Sequence, residues 1–244
     1  MDIAISTRYS GSNQIEPDTF NPAMPTLFRY FSQTNADAFL NRGVVLLRSL
    51  AYFRDYEDEG VRADEYEGTL VHLPEGGLTL KRVPSGEEVP VPYTFESTAK
   101  EEDIFIYCLS TELSEHIARR FNAEVCVEIL EPIKFLARLR TSLRLRPRLR
   151  AGSLVHERVR YYEPHEPPIV DWALPEKISL RKPKSFAWQK EYRFAVPRGD
   201  AFRVENVELK LVPLGQRRQS RLVQHIPEIL KLGNLSKICK VHTI

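Results

Sequence analysis

The chain has 244 residues, of which 42% are hydrophobic and 28% charged, and its 35 Lys and Arg against 33 Asp and Glu give a net charge of +2. This composition excludes collagen-like, coiled-coil and fully disordered chains, and it indicates a globular protein with a buried core. The small net charge conceals an acidic half and a basic half. Residues 1–131 contain 11 basic and 23 acidic side chains, and residues 132–244 contain 24 basic and 10 acidic ones. Such a division is typical either of a protein with an anionic partner or of two halves that attract each other in one fold.

Apolar runs bounded by turn residues predict most of the strands. In chain order, these runs cover residues 26–31, 44–48, 104–109, 124–129, 155–162, 191–196, 202–212 and 238–243. The run at 104–109 is the clearest candidate for a central strand. Between residues 70 and 95 the alternation is looser, and Gly76-Gly77 and Ser85-Gly86 indicate the turns of β-hairpins.

Helices are predicted from residues that commonly begin or end them. Their expected starts are the caps Thr34 or Asn35, the caps Ser110 or Thr111, Pro132, and Ile226. The first helix is expected to end at Arg42, because Gly43 can adopt the left-handed conformation that terminates helices. Pro132 occupies the first helical position that proline favours, and the last helix is expected to cover residues 226–232.

The order of these elements predicts the domain organisation. Residues 1–25 are polar and interrupted by proline, so we expect a loosely ordered arm. Strands follow strands without regular helical crossovers, which predicts a single α+β domain over residues 26–244. The acidic stretch 55–67 is expected to stay outside the core, because it is too charged to be buried.

The terminal residues and the cysteines favour a cytoplasmic protein. The N-terminus lacks the basic and apolar regions of a secretory signal, and no stretch approaches the ~18–20 apolar residues that span a membrane. Cys108, Cys126 and Cys239 are widely spaced, so we expect free thiols in a reducing compartment. The spacing of Cys239 and His242 lacks a second Cys or His pair, and no metal site is expected.

The segment from Lys134 to Arg150 contains seven cations in 17 residues, interleaved with leucines. Its arginines are Arg138, Arg140, Arg144, Arg146, Arg148 and Arg150. Because arginine holds phosphate bidentately, such a row could contact a nucleic-acid backbone or another anion. The alternative is an amphipathic helix whose arginines face water or the acidic half, and the near absence of aromatic residues for base stacking favours it.

Three short patterns carry the residue types of a catalytic site. They are residues 27–30, 107–112 and 188–194. Side chains alternate along a strand, so Gln189, Glu191 and Arg193 are expected on one face and the aromatic residues between them on the other. A polar face backed by aromatic residues indicates a strand that lines a cleft.

Together these patterns resemble an uncharacterised bacterial family with an ADP-ribosyltransferase-like fold of the Arg–Ser–Glu type. The resemblance covers about residues 26–197, and its segments are Arg29-Tyr30, residues 52–55, residues 108–112 and residues 189–193. It implies an α+β fold described as an ADP-ribosyltransferase-like split β-sandwich with flanking helices. It also implies that NAD is bound as a substrate.

The resemblance assigns roles to individual residues. Arg29 would hold the NAD phosphates, and Ser110 and Thr111 would brace the site. Glu191 would orient the nicotinamide ribose, where a fixed carboxylate stabilises the positive charge that develops as the glycosidic bond breaks. Gln189 would contact the acceptor, and it departs from the glutamate that is commoner in this family.

An aromatic ring is also needed to hold the nicotinamide, and the candidates are Tyr30, Tyr52 and Phe53. Each site residue has a plainer explanation. Glu191 could form an exposed ion pair with Arg193 or Lys190 on a solvent-facing strand. A role as a helix N-cap would by itself explain Ser110. Arg29 could form an ion pair with the acidic stretch.

These observations lead to three functional hypotheses. The first is NAD-dependent ADP-ribosyl transfer to a nucleobase or a protein amide, or NAD hydrolysis, in the manner of bacterial toxins and phage-defence effectors. The second is a non-catalytic nucleic-acid-binding module that uses residues 134–150. The third is an interaction protein whose acidic and basic halves dock partners. The first hypothesis needs a cleft built from both halves, and we therefore expect one domain.

Overall fold

The computed structural model of the chain describes residues 24–55, 64–216 and 225–244. Its strands are β1 (Leu27–Phe31), β2 (Val44–Ser49), β3 (Thr69–His72), β4 (Leu78–Lys81), β5 (Glu88–Val91), β6 (Tyr93–Thr98), β7 (Ile104–Ser110), β8 (Val125–Ile129), β9 (Val155–Arg158), β10 (Arg160–Tyr162), β11 (Arg181–Pro183), β12 (Glu191–Pro197), β13 (Glu208–Pro213), β14 (Glu228–Lys231) and β15 (Cys239–Thr243). Its α-helices are α1 (Gln33–Arg42), α2 (Leu50–Arg54), α3 (Glu115–Arg120), α4 (Pro132–Arg144) and α5 (Pro175–Ile178). Most of the predicted arm, residues 1–25, lies outside the described residues.

Within the described residues, the main sheet has eight strands, and its strand pairs are antiparallel. Along one path the order is β14-β2-β7-β1-β8-β15, and β12 pairs with both β7 and β9. Smaller sheets are formed by β13-β6-β3, by the β4–β5 hairpin and by the parallel pair β10–β11. The protein is therefore a mixed α+β fold with a mostly antiparallel sheet and few helices. Strands from the acidic and the basic half of the chain share the main sheet.

The main sheet opens beside its central strand. One edge of β7 pairs along its whole length with β12, from Ile104–Pro197 to Ser110–Glu191. On the other edge, Ser110 pairs with Phe28 of β1, whereas the start of β7 pairs with β2. Within the described residues, Tyr107 to Leu109 have no strand partner on this edge. The divergence of β1 and β2 therefore leaves a gap in the sheet.

The two faces of the sheet are covered differently. One face packs on α1 and α4, whose apolar sides supply Phe39, Phe135, Leu139 and Leu143 to the larger buried cluster. A smaller cluster around Ile104, Trp172 and Ile178 lies on the opposite face. Because Phe28 pairs with Ser110, the side chains of these two residues lie on the second face of the sheet. Side chains alternate along a strand, so those of Leu27 and Arg29, on either side of Phe28, leave β1 on the first face.

Most of the predicted strands are confirmed. β1, β2, β7, β8, β12 and β15 lie where the apolar runs placed them. The β4–β5 hairpin turns at Ser85-Gly86 as expected, although β3 pairs with β6 rather than with β4. The expected left-handed stop at Gly43 is confirmed by its φ of 62°, and α4 begins at Pro132 as expected. The three cysteines are free thiols.

Two predicted helix starts are wrong. Ser32 rather than Thr34 or Asn35 precedes α1. Ser114 rather than Ser110 or Thr111 caps α3, and its hydroxyl oxygen accepts a hydrogen bond from the Ile117 amide. Ser110 cannot take this role because it is the last residue of β7, where strand pairing fixes its backbone.

Three other expectations are corrected by tertiary contacts. Residues 228–231 form strand β14 and not a helix, because they pair with β2. The predicted strand 202–212 begins only at Glu208, after a short 3₁₀ turn. The expected exclusion of stretch 55–67 from the core is wrong for Asp64 and Glu67, which are 3% and 1% exposed; residues 56–63 of that stretch lie outside the described residues. In the described ranges, no helix is both long and apolar enough to cross a bilayer.

Candidate functional site

A cavity of about 800 Å³ lies over the gap between β1 and β2. Its lining includes residues of β1, β2, β7 and β12, Tyr52 and Phe53 of α2, and the segment after α3. The predicted site residues in its lining are Arg29, Tyr30, Tyr52, Phe53, Ser110, Gln189 and Glu191. The size suits a small-molecule ligand. Thr111 is not part of this lining.

Glu191 begins β12 and is held by a buried ion cluster. Its Oε1 atom lies 2.6 Å from Nε of Arg193, and its backbone amide donates to the Tyr161 hydroxyl at 2.9 Å. The other end of the Arg193 guanidinium binds both carboxylate oxygens of Glu67, at 2.6 and 2.7 Å. Arg193 also donates to the Ser179 carbonyl oxygen at 2.8 Å. This bidentate, buried arrangement fixes the position of the Glu191 carboxylate.

Lys182 completes the cluster from β11. Its ammonium lies 3.4 Å from Oε2 of Glu191 and 3.7 Å from Oε2 of Glu67. It also donates to Oε1 of Gln189 at 2.9 Å. Two carboxylates therefore face two cations, which compensates the cost of burying each charge.

The cluster keeps Glu191 ionised. Burial opposes its charge, but the attraction of Arg193 and Lys182 outweighs burial and lowers the pKa of Glu191 from 4.5 to about 2. Asp64 lies beside the same cluster, but Lys182 and Arg193 compensate its burial only in part. Burial, and next the charge of Glu67, raise the pKa of Asp64 from 3.8 to about 7. Its Oδ2 atom has no hydrogen-bond partner within the described part of the chain.

The expected polar face of β12 is only partly as predicted. Glu191 and Arg193 do share a face and contact each other, but both are buried, so the plainer explanation of a wet surface pair is wrong for Glu191. Gln189 does not lie on β12, because it is the last residue of the 3₁₀ helix that precedes this strand. Lys190 between them has a φ of 47°, and this left-handed residue turns the chain into β12.

Ser110 and Thr111 join β7 to this turn. The Ser110 hydroxyl donates to the Gln189 carbonyl oxygen at 3.1 Å and accepts from the Glu112 amide at 3.2 Å. The amide and the hydroxyl of Thr111 both donate to the Lys190 carbonyl oxygen, at 2.8 and 3.1 Å. The two residues therefore brace the segment that carries Gln189 and Glu191.

Arg29 reaches the cavity through the gap in the sheet. The strand pairing places the Cβ atom of Arg29 on the face of the sheet opposite to Ser110 and Glu191. The guanidinium carbon of Arg29 lies 5.1 Å from the centre of the Tyr107 ring. Its Nη1 atom donates to the Cys108 carbonyl oxygen on the open edge of β7, and Arg29 forms no ion pair with the described residues of the acidic stretch, Asp55 and residues 64–67. Its buried Nε atom has no hydrogen-bond partner in the described ranges.

The three aromatic candidates lie on two walls of the cavity. The Tyr30 hydroxyl donates to the Glu112 carbonyl oxygen and accepts from the Ser114 amide, both at 2.8 Å, which anchors the segment before α3. Tyr52 and Phe53 on α2 contact each other edge to face at 5.2 Å. The Arg48 guanidinium lies 4.3 Å from the centre of the Tyr52 ring. An aromatic wall beside a cation thus lines the same cavity as Glu191.

The six arginines predicted to contact an anion, between residues 138 and 150, fall into two groups. Arg138, Arg146 and Arg150 donate to the backbone carbonyl oxygens of Asn234, Ile229 and Gly199, respectively. The remaining three, Arg140, Arg144 and Arg148, are exposed on the side of α4 and the following turn away from the core. Within the described ranges, these three side chains form no hydrogen bond or ion pair.

Three residues of the site were not anticipated from the sequence. Glu67 and Asp64 belong to a stretch whose charge argued against burial, and Lys182 stands in the charged run Arg181–Lys184. No local pattern marks them, because they are brought to Glu191 only by the packing of distant segments.

Comparison of the chain with protein-family models, with curated proteins and with solved structures finds no match.

Proposed function

We propose that the protein breaks the nicotinamide–ribose bond of NAD and transfers ADP-ribose to a nucleobase, a protein amide or water. The observation that carries this proposal is the convergence of Arg29, Ser110 and Glu191 on one cavity of suitable size. Three residues that are 81 to 162 positions apart meet beside a gap in the sheet. We further propose that the fold is the ADP-ribosyltransferase-like split β-sandwich, with this gap as the split.

In the proposed reaction, the glycosidic nitrogen leaves with the bonding electron pair as neutral nicotinamide. Positive charge then develops on the ribose, and the Glu191 carboxylate stabilises it more strongly in the transition state than in the bound substrate. A carboxylate with a pKa of about 2 is a weak base. Glu191 therefore acts through its charge and not by taking a proton. The acceptor forms the new bond to the ribose carbon and loses its proton to solvent.

The other residues position the substrate in this proposal. Arg29 offers its buried, unpaired Nε–H to a phosphate oxygen of NAD in the gap. Ser110 and Thr111 hold the turn at Lys190, which fixes Glu191 and Gln189 relative to β7. Tyr52 or Phe53 provides the face of one aromatic ring for the nicotinamide ring.

The proposal is tested by measuring free nicotinamide after incubation with NAD, alone and with RNA, DNA or protein. The wild type is expected to release nicotinamide, and Glu191→Gln is expected to lower the rate by about 10²- to 10³-fold. Glu128→Gln is a matched control, because Glu128 is also a strand carboxylate paired with a basic side chain, His242, but lies outside the cavity.

Thermal unfolding of both variants separates a lost charge from a lost fold. Ser110→Ala gives a second probe, which leaves the buried charges intact. Absence of nicotinamide release by the wild type with every acceptor would refute the proposal. So would equal rates for the wild type and a folded Glu191→Gln variant.

A further inference from the structure

One strongly charged surface has no part in the proposed reaction. It is the arginine row formed by Arg140, Arg144 and Arg148. Residues 134–150, which contain the row, carry seven of the 24 cations of the basic half, and the neighbouring arginines of the same segment are engaged by backbone carbonyl oxygens. The row therefore differs from its neighbours in having three guanidinium groups open to a partner.

The spacing of the row is regular. Arg140 and Arg144 stand four residues apart on α4, so they share one helix face and are separated by roughly 6 Å along the axis. Arg148 follows after four more residues, in the turn that leads to the buried Leu149. The opposite side of α4 is fixed by Phe135, Leu139 and Leu143 in the core. Arg140 and Arg144 are thus held on the outer side of a rigid helix, and Arg148 follows in the turn after it.

We infer that the arginine row binds the phosphodiester backbone of a nucleic acid. Three exposed cations at a spacing of four residues match an extended polyanion better than a single small anion. All three are arginines, whose planar fork binds phosphate oxygens bidentately, and none is a lysine. Leu145, next to Arg144, is 77% exposed and offers an apolar contact to a sugar or base. Binding here stands whether or not NAD is the substrate of the cavity.

The inference is tested by the fluorescence anisotropy of a labelled 20-nucleotide single-stranded RNA, and of DNA of the same sequence, over a series of salt concentrations. The test variant is Arg140→Gln/Arg144→Gln/Arg148→Gln. Three lost contacts are expected to weaken binding roughly 100-fold at 0.1 M salt and to lower the slope against log salt by about 2.

The matched control is Arg42→Gln/Arg203→Gln/Lys240→Gln, which removes the same charge from exposed positions elsewhere. It is expected to change binding by less than threefold. Equal weakening by the two variants would overturn the inference, since it would show a general charge effect. Absence of RNA and DNA binding by the wild type, or tighter binding of polyglutamate or anionic vesicles than of either strand, would also overturn it.

The outcome is independent of the NAD assay. Nicotinamide release without row-dependent binding would refute this inference alone, and row-dependent binding without nicotinamide release would refute the proposed reaction alone. Thermal unfolding is expected to give the same midpoint for the row variant and the wild type, because these side chains contact no described residue by hydrogen bond or ion pair.

Discussion

Asp64 gives a sharp test of the buried cluster, because replacing it should make the protein more stable. Its carboxyl group is 3% exposed and lies beside Glu67, which is also buried. Its Oδ1 atom accepts a hydrogen bond from the Tyr66 amide at 3.0 Å, whereas Oδ2 has no partner in the described part of the chain. Asp64→Asn keeps the shape of the side chain and removes the charge.

The direction follows from the pKa of Asp64, which is about 7 in the fold and 3.8 ordinarily. A carboxyl whose pKa is raised by folding binds its proton more tightly in the folded state, so stability falls as pH rises between these values. The loss is complete above pH 7 and amounts to about 4 kcal/mol. Asparagine does not ionise and escapes this loss. Between pH 5 and pH 8, the variant should gain about 3 kcal/mol relative to the wild type.

Urea unfolding of both proteins at pH 5, 6, 7 and 8 measures this difference. Glu65→Gln is the matched control, because Glu65 is an exposed carboxylate in the same turn and should change stability by less than about 0.5 kcal/mol at every pH. A stability difference between Asp64→Asn and the wild type that does not change with pH would refute the reasoning. So would a fall in the relative stability of Asp64→Asn as pH rises.

Three further predictions concern the same site. Glu67→Gln leaves the buried Arg193 with one carboxylate fewer and should lower the free energy of unfolding by about 3–5 kcal/mol in urea titrations; a loss below 1 kcal/mol would contradict the role of this pair. Because Glu191 has a pKa of about 2, its contribution to stability is present above pH 4.5 and lost as pH falls towards 2; acid titration of Glu191→Gln should lack this part of the wild-type loss between pH 5 and 2. Lys190 has a left-handed backbone conformation, which glycine adopts without strain and a β-branched residue does not. In thermal unfolding, Lys190→Gly should therefore change the free energy of unfolding by less than about 1 kcal/mol, whereas Lys190→Val should lower it by more than about 1 kcal/mol.

The elements that the sequence predicts well are those with a strong local signal. The run at 104–109 is apolar on both faces, and it becomes the central strand β7. Gly43 ends α1 because its φ of 62° is the left-handed conformation that glycine adopts without strain. These features depend on nearest neighbours in the chain or on uniform burial, which residue type alone encodes.

The elements that were mistaken depend on contacts between distant segments. Residues 228–231 become a strand because the free edge of β2 offers a partner, and a weak helical preference cannot compete with four paired residues. Glu67 is buried because Arg193, 126 residues later, arrives at the same place. A charged residue is expected at the surface unless its partner is known, so the burial of Glu67 and Lys182 could not be predicted from the sequence.

The charge division between the halves has two different consequences in the fold. Ion pairs across it, such as Glu67 with Arg193 and Asp103 with Arg198, join the halves inside one sheet system. The attraction of the halves therefore explains part of the division. It does not explain the arginine row, whose charges have no acidic partner among the described residues. If internal pairing were the whole cause, the row would face carboxylates; the excess positive charge that remains there is what an anionic partner would neutralise.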